Sequence, residues 1–491
     1  MEAIIETSDG DSVLQSLGLC KLCFLRYTGV RKTQEYCSIN DCEADEPPTK
    51  CRKEDTCVAC LGLLQHLTKD SEIKHIVEDL SKANYDSPVI TCAVSLPIAL
   101  QIRAHSIELF LSEKLASFER VKVVPIKEAW KWACSQRIAS AVNKESCSGA
   151  TCDFLVNINV EYSQDLKECS ALEQVHSLKF EERRKQKRKF HGQLFTRQGV
   201  EGMLNSTTKE EFVSKFDYPP TAPPEPAFYN GVQCSHNAIF IAGRYNKFSR
   251  GLSQTPWLVE GERRMEGSVQ ELISKVLEEH CNSKNSKFVA SGREDVDVRT
   301  LGRGRPFAVE LPDPHKTFFD PSELVSMQKL INEGGRGLIH VRDLQRIHKD
   351  ELVHLKMGEE SKSKSYEAYC VCLEGELLDE KLDALSNIKN LVLEQKTPIR
   401  VLHRRPLATR NRTVLQMSAT RVDDKFFKLC LETQAGTYVK EFVHGDFGRT
   451  NPNMCTLLGV SVDILALDVK QVFLDWPKCI ISTDSDSVPV C

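Results

Sequence analysis

Residues 291–307 read SGREDVDVRTLGRGRPF, in which Asp295 and Asp297 stand among Arg293, Arg299, Arg303 and Arg305 with glycine on either side. A carboxylate among guanidinium groups is held in its charged form by the opposite charge around it. An ionised aspartate fixed in place can then act as nucleophile or base with neither metal nor cofactor. Spare arginines also suit a substrate rich in phosphate. From these residues alone, a surface loop with ordinary ion pairs is an equal reading. A magnesium site built from Glu294, Asp295 and Asp297 is a third. It is disfavoured because in an extended strand Asp295 and Asp297 share a face while Glu294 points away.

Cysteine supplies the second constellation. CKLC (Cys20, Cys23) and CVAC (Cys57, Cys60) are two C-x-x-C pairs. Each puts two thiolates on a tight turn, and two pairs complete a tetrahedral structural zinc site with no open position for catalysis. Cys37, Cys42 and Cys51 lie between them and could substitute as ligands; unconnected thiols are the plainer alternative. Of the 20 cysteines, Cys370, Cys372 and Cys430 sit in apolar runs and read as free buried thiols of a reducing compartment.

Basic segments form the third. RVLHRRPLATRNR (400–412) carries five arginines, among them Arg404, Arg405, Arg410 and Arg412, and reads as a phosphate-contacting loop. Arg244, Lys247 and Arg250 in AGRYNKFSR are further candidates for RNA contact. RRKQKRK (183–189) is equally a nuclear localisation signal, an RNA contact or a solvated helix face.

The elements that must position these groups follow from pattern. At 491 residues two or three domains are expected. With 65 basic and 69 acidic side chains the formal charge is −4, so any nucleic-acid surface must be local. The acidic start, MEAIIETSDGDS, has no basic region or apolar core, so no secretory signal is expected. No apolar run is long enough to span a membrane.

VITCAVSLP and FLVNINVEY read as strands, the second alternating Val156, Ile158, Val160 and Tyr162, with SIELFLSEKLASF as a helix between them. YPPTAPPEP (218–226) cannot hold regular structure and marks the main boundary. Beyond it, SVQELISKVLEEH is an amphipathic helix whose start is signalled by Ser268 and Glu271. FAVEL, LIHVRDL, YEAYCVCL, IRVLHRR, VLQMSATRV, FKLCLETQ and ILALDV read as strands. Helices are expected within PSELVSMQKLIN and LSNIKNLVLE.

Two further segments, KSYEAYC (364–370) and QAGTYVKEF (434–442), each read as an apolar strand carrying an aromatic and a basic residue. With GREDVDV they resemble the three signature segments of the pseudouridine synthase fold. GRED is similar to the GRTD segment of synthases acting on the anticodon arm, K-x-Y-x-A to the segment of the active-site aromatic, and G-T-Y-V-K to the segment whose basic residue pairs with the catalytic aspartate. Over residues 235–475 the chain resembles the archaeal and eukaryotic tRNA pseudouridine synthases that act on T-arm uridines 54 and 55.

That resemblance implies Asp295 as catalytic carboxylate, Tyr366 stacking on the target base, Lys440 paired with Asp295, and Arg293 assisting base extrusion. It also implies a fold of class α+β. Its catalytic domain (231–491) would be a mixed, mainly antiparallel sheet with flanking helices. Before it would come an α/β THUMP-like RNA-binding domain (85–230) and a zinc-binding segment (1–84). No cofactor is expected for catalysis beyond structural zinc, and tRNA is the expected partner, with no obligate protein partner evident. Nucleus or cytoplasm is the expected location. A catalytically inactive zinc-containing RNA binder of the same fold is the competing reading; a degenerate copy would be expected to lose one of Asp295, Tyr366 and Lys440.

Overall fold

A computed structural model describes residues 8–37, 55–149, 151–185, 194–403 and 405–480. Cys42, Cys51, Arg404 and most of the RRKQKRK run lie outside the described residues. The chain divides into two compact units, 1–236 and 237–491.

The first unit holds a sheet of β1 (Val89–Ser95), β2 (Glu145–Ser146), β3 (Phe154–Glu161) and β4 (Phe228–His236), in the order β2-β1-β3-β4. β1 runs parallel to both its neighbours, and β4 closes antiparallel on β3. Alternation on β3 buries Phe154, Val156, Ile158 and Val160 against Trp130 of the helix Ile126–Ala141. Leu22, Cys23 and Leu61 belong to that same core. The cysteine-bearing segment is therefore packed into one unit with the sheet, and is not a separate domain ending at residue 84. The proline-rich stretch is likewise not the boundary. It carries the chain back to β4, so a cut at 231 would split a paired strand.

Cys20 caps the helix Lys21–Tyr27 and Cys23 lies in its first turn, while Cys57 and Cys60 come from the turn preceding Leu63–His66. The four sulfurs lie within 4.8 Å of one another, with Cys20 Sγ 3.9 Å from Cys60 Sγ. Burial pushes the Cys23 and Cys60 thiols up, while hydrogen bonding from the neighbouring thiols holds Cys57 well down. The Cys20 N–H donates to Cys57 Sγ at 3.3 Å, and Arg26 Nη1 donates to Cys23 Sγ at 3.3 Å. Four close sulfurs, three of them on buried cysteines, with outer donors are the set that a metal ion neutralises. Cys37 is exposed, donates to Trp132 O and stands outside the cluster.

In the second unit the strands are β5 (Ile239–Lys247), the hairpin β6 (Leu258–Val259) and β7 (Glu262–Arg263), β8 (Lys287–Ala290), β9 (Val298–Leu311), β10 (Ile339–Ile347), β11 (Lys364–Glu374), β12 (Lys389–Lys396), β13 (Thr409–Arg421), β14 (Phe426–Thr433), β15 (Thr450–Asn451) and β16 (Ser461–Val472). Apart from the hairpin they form one sheet in the order β10-β5-β9-β16-β11-β14-β13-β12-β15, with β8 on β9. Among the described residues of this sheet, only the β9–β16 pairing is parallel. The helix Val269–Cys281 starts where expected, with Ser268 Oγ accepting from Glu271 N.

Three local expectations fail. Residues 389–396 form a strand rather than a helix, because a short apolar run fits either period. IRVLHRR begins with a tight 3₁₀ turn at Ile399–Val401. The G-T-Y-V-K segment enters the helix Val439–His444 instead of a strand. Cys370 and Cys372 are buried as expected, but Cys430 faces out from β14 and is exposed.

Gly302 on β9 shows how closely the centre of the sheet is packed. It has φ +59°, and a Cβ there would stand 2.2 Å from Lys470 O. Only glycine tolerates both the backbone conformation and that approach.

Candidate active site

The GRED segment is the connection between β8 and β9, and its conformation is set from beneath by Glu294. That side chain turns into the core, where Glu294 Oε2 lies 2.7 Å from Arg305 Nε in an ion pair that is almost wholly buried. The Tyr245 hydroxyl donates to the same carboxylate at 2.8 Å, and Gln254 Nε2 donates to both Tyr245 Oη and Gly292 O. Gly292, at φ +85°, makes the turn; a Cβ there would come 3.1 Å from Arg305 Nη1. With Glu294 turned inward, Asp295 and Asp297 are presented on the other side.

Lys247 and Arg250 hold the loop by its backbone. Lys247 Nζ donates to Leu252 O, Asp295 O and Val296 O at 2.8, 3.2 and 2.7 Å. Arg250 Nη1 donates to Asp297 O and Leu467 O, and its Nη2 to Asp468. Arg244 is buried and donates to the carbonyls of Arg303, Gly304, Leu474 and Trp476. Arg244 and Lys247 are thus not RNA contacts. Both lie in the sheet interior with their donors committed to carbonyls, where no phosphate reaches. Arg250 is half-buried, with its donors divided between two carbonyls and the Asp468 carboxylate.

A cleft of about 440 Å³ opens beside the loop, lined among others by Arg293, Asp295, Tyr366, Arg400, Arg405 and Lys440. That volume falls in the range of small-molecule sites. Lys440 sits one residue into the helix Val439–His444. Its entry is clamped by the buried Gln395 amide, which accepts from Tyr438 N and donates to Tyr438 O, both at 3.0 Å.

Lys440 Nζ bonds Asp297 Oδ1 and Oδ2 at 2.8 and 2.7 Å and lies 3.7 Å from Asp295 Oδ2. Its closer partner is therefore Asp297 rather than Asp295. The nearer cation to Asp295 is Arg400, whose Nη1 lies 2.7 Å from Oδ2 while its Nε bonds the buried Glu441 at 2.6 Å. Burial opposes the charge on Asp297, but the Lys440 hydrogen bonds and the charges of Lys440 and Arg400 hold its carboxyl below the ordinary range. Burial likewise works against the Arg400 charge and is overcome by Glu441, Asp295 and Asp297, which raise it.

Tyr366 is half-buried on β11, with its hydroxyl pushed up by burial. Arg293 and Arg405 are both exposed members of the lining. Arg410 and Arg412 lie half-buried on β13, the latter against Gly436 of the lining. Arg400, the first residue of RVLHRRPLATRNR, is a site residue that its sequence context does not set apart. Phe447 lies in the turn that follows the helix carrying Lys440. It is 95 % exposed, and Gly445, Asp446, Phe447 and Gly448 all have positive φ, a backbone that costs energy at two non-glycine residues.

Removing one partner of a buried ion pair leaves the other charge unpaired, which costs about 3–5 kcal/mol. Glu294→Ala is therefore expected to lower the urea-unfolding free energy by that amount. Glu294→Leu combined with Arg305→Leu is expected to recover part of the loss in the same titration.

A family model described as Pus10, C-terminal, matches residues 240–473, and one described as eukaryotic Pus10, N-terminal, matches 57–234. The tRNA pseudouridine synthase Pus10 of Xenopus laevis is 38 % identical over 95 % of this chain and 96 % of its own length. The human protein of that name is 39 % identical over 87 % of this chain and 80 % of its own. The protein of that name from Thermofilum pendens is 42 % identical over 48 % of this chain and 52 % of its own. With both units matched and a relative similar over nearly the whole length, the chain belongs to the Pus10 family of tRNA pseudouridine synthases.

Proposed function

We propose that this chain isomerises uridine to pseudouridine in the T arm of tRNA, at position 54, position 55 or both. The observation that carries the reading is the convergence of Asp295, Tyr366 and Lys440 on one cleft within a chain of this family. A base must leave its stack before its glycosidic bond can be broken. Tyr366 offers the surface to stack against, and Arg293, exposed at the rim, occupies the space the base vacates. Phe447, held outward by its backbone, supplies a second aromatic face to the RNA.

Asp295 acts at C1′ as nucleophile, or as base toward the sugar. Arg400 and Lys440 lie against its carboxylate, and Asp297 and Glu441 keep those two cations in place. Arg405, Arg410 and Arg412 meet phosphates, and the N-terminal unit is an RNA-holding accessory domain of THUMP-like character. Its four-cysteine cluster holds zinc, whose preferred donors are thiolates in a closed tetrahedron. A cluster of four thiols placed for metal fits a reducing compartment, nucleus or cytoplasm. Among the described residues no helix is long and apolar enough to cross a membrane.

The test is an unmodified tRNA transcript incubated with the protein, with pseudouridine mapped by carbodiimide-dependent primer-extension stops. The wild type is expected to give stops in the T arm. Asp295→Ala is expected to lose about a thousandfold in rate or more while binding tRNA within threefold of wild type. Stops in another arm would refute the position, and full activity in Asp295→Ala would refute the assigned residue.

Replacing Cys20 and Cys23 with serine is expected to release about one equivalent of zinc, read by elemental analysis of the full chain. The same change is expected to lower the melting temperature of the N-terminal unit. Unchanged metal content would count against the cluster as a zinc site.

A further inference from the structure

Lys364 is the first residue of β11 and is 6 % exposed. It lines the cleft, and a Cβ built on Gly292 would stand 4.0 Å from its Nζ, placing the ammonium against the turn that carries Asp295. Among the described residues no hydrogen bond or ion pair reaches that nitrogen. A buried charge without a partner is expensive, and a fold keeps one where a ligand completes it.

The surroundings are specific. Arg305 of β9 repels the ammonium and is itself neutralised by Glu294. Glu359, on the helix Val353–Glu360, is exposed at the cleft and is the acid whose field favours the charge. Arg293 and Asp295 lie along the same lining, and Tyr366 comes two residues later on the same strand. From the flanking strands β14 and β16, the residues opposite are the uncharged Thr433 and Val472. Burial first, and Arg305 second, lower Lys364 to about 8, so it is mostly charged at neutral pH and loses that charge above about 8.

Residues two apart on a strand share a face. A base stacked on Tyr366 therefore has its edge within reach of the Lys364 stem. We propose that Lys364 is a catalytic residue of the isomerisation, donating to a carbonyl oxygen of the flipped uracil and stabilising the negative charge the base acquires. This rests on the pseudouridine synthase reading of the cleft.

In the reaction the C1′–N1 bond breaks and its electron pair leaves with the base, giving a uracil anion with charge spread over N1 and the carbonyl oxygens. C1′ is then bonded to C5, the C5 proton is lost, and N1 takes up a proton, so the product is an isomer of the substrate. Asp295 serves the sugar side of that cleavage, while Lys364 serves the departing base. A cation in a site sheltered from water acts on developing charge far more strongly than it would in solution.

Lys364→Met tests this, because methionine has similar length and no charge. Losing an unpaired buried cation is expected to leave the melting temperature unchanged or higher. The saturating single-turnover rate is expected to fall at least about 100-fold while the tRNA Kd stays within threefold. The pH dependence of kcat/KM reports free-enzyme groups. Lys247, also lowered to about 8 by burial, titrates in both proteins, so the readout is the wild-type to variant ratio. That ratio is expected to drop about tenfold per pH unit above pH 8.

A clear fall in melting temperature would make the ammonium structural. A Kd loss matching the rate loss would make it an ordinary RNA contact. A pH-independent ratio would remove the charge from the mechanism. Wild type that makes no pseudouridine would overturn the underlying reading, whereas an active wild type with an equally active Lys364→Met would overturn this inference alone.

Discussion

The buried pair of Glu294 and Arg305 is the interaction on which the cleft depends. Three acids fall within four residues, and left to water all would face outward. Pairing the first with a guanidinium inside the core, under the Tyr245 hydroxyl and the Gln254 amide, forces the loop to turn its other two carboxylates to the opposite side. Lys247 and Arg250 then tie down the carbonyls of residues 295, 296 and 297, so the position of Asp295 is fixed through its backbone as well as through its charge partners.

Charge around Asp295 is arranged in two tiers. Arg400 and Lys440 lie against it, but each is also bound to another acid, Glu441 and Asp297. These five groups set two cations against three acids, so the carboxylate has close partners without excess positive charge around it. Arg293 and Arg405, which make no ion pair among the described residues, stand on exposed ground, where a polyanion would approach. A nucleophile or base needs its own charge preserved and the substrate's charge attracted, and separate residues perform the two tasks.

Local chemistry was legible in the sequence. Two C-x-x-C pairs announce a cluster because tetrahedral ligation needs close donors, and Ser268 with Glu271 announces a helix start because capping is decided within four consecutive residues. The placing of Asp295, Tyr366 and Lys440 along one cleft was reached through resemblance to a family, because no periodicity brings residues 295, 366 and 440 together. What the sequence concealed is partnership at a distance. Arg244 and Lys247 have the donor types of phosphate contacts, and only the carbonyls packed around them reveal another use. Arg400 stands at the edge of a basic run, and nothing in its neighbours distinguishes an ion-pair partner of Asp295 from a phosphate contact. The proline-rich stretch hid the return of β4 to its sheet, since strand pairing is non-local.

Lys247 and Lys364 share an environment and differ in their partners. Both amines are buried in the same unit, both are lowered to about 8, and burial is the leading cause for each. Solvation alone therefore cannot tell them apart. Lys247 gives hydrogen bonds to three carbonyls of the site's own loops, so its burial is offset by the structure it holds. Lys364 gives none among the described residues, and it arrives on the face of β11 that also carries Ala368, Cys370 and Cys372 into the core. The strand's apolar end anchors the element and its other end carries the ammonium into the cleft, so the cost of keeping that charge unpaired is met by packing several residues away. That division between an anchoring end and a reacting end is how a core element can carry a charge whose partner is the substrate.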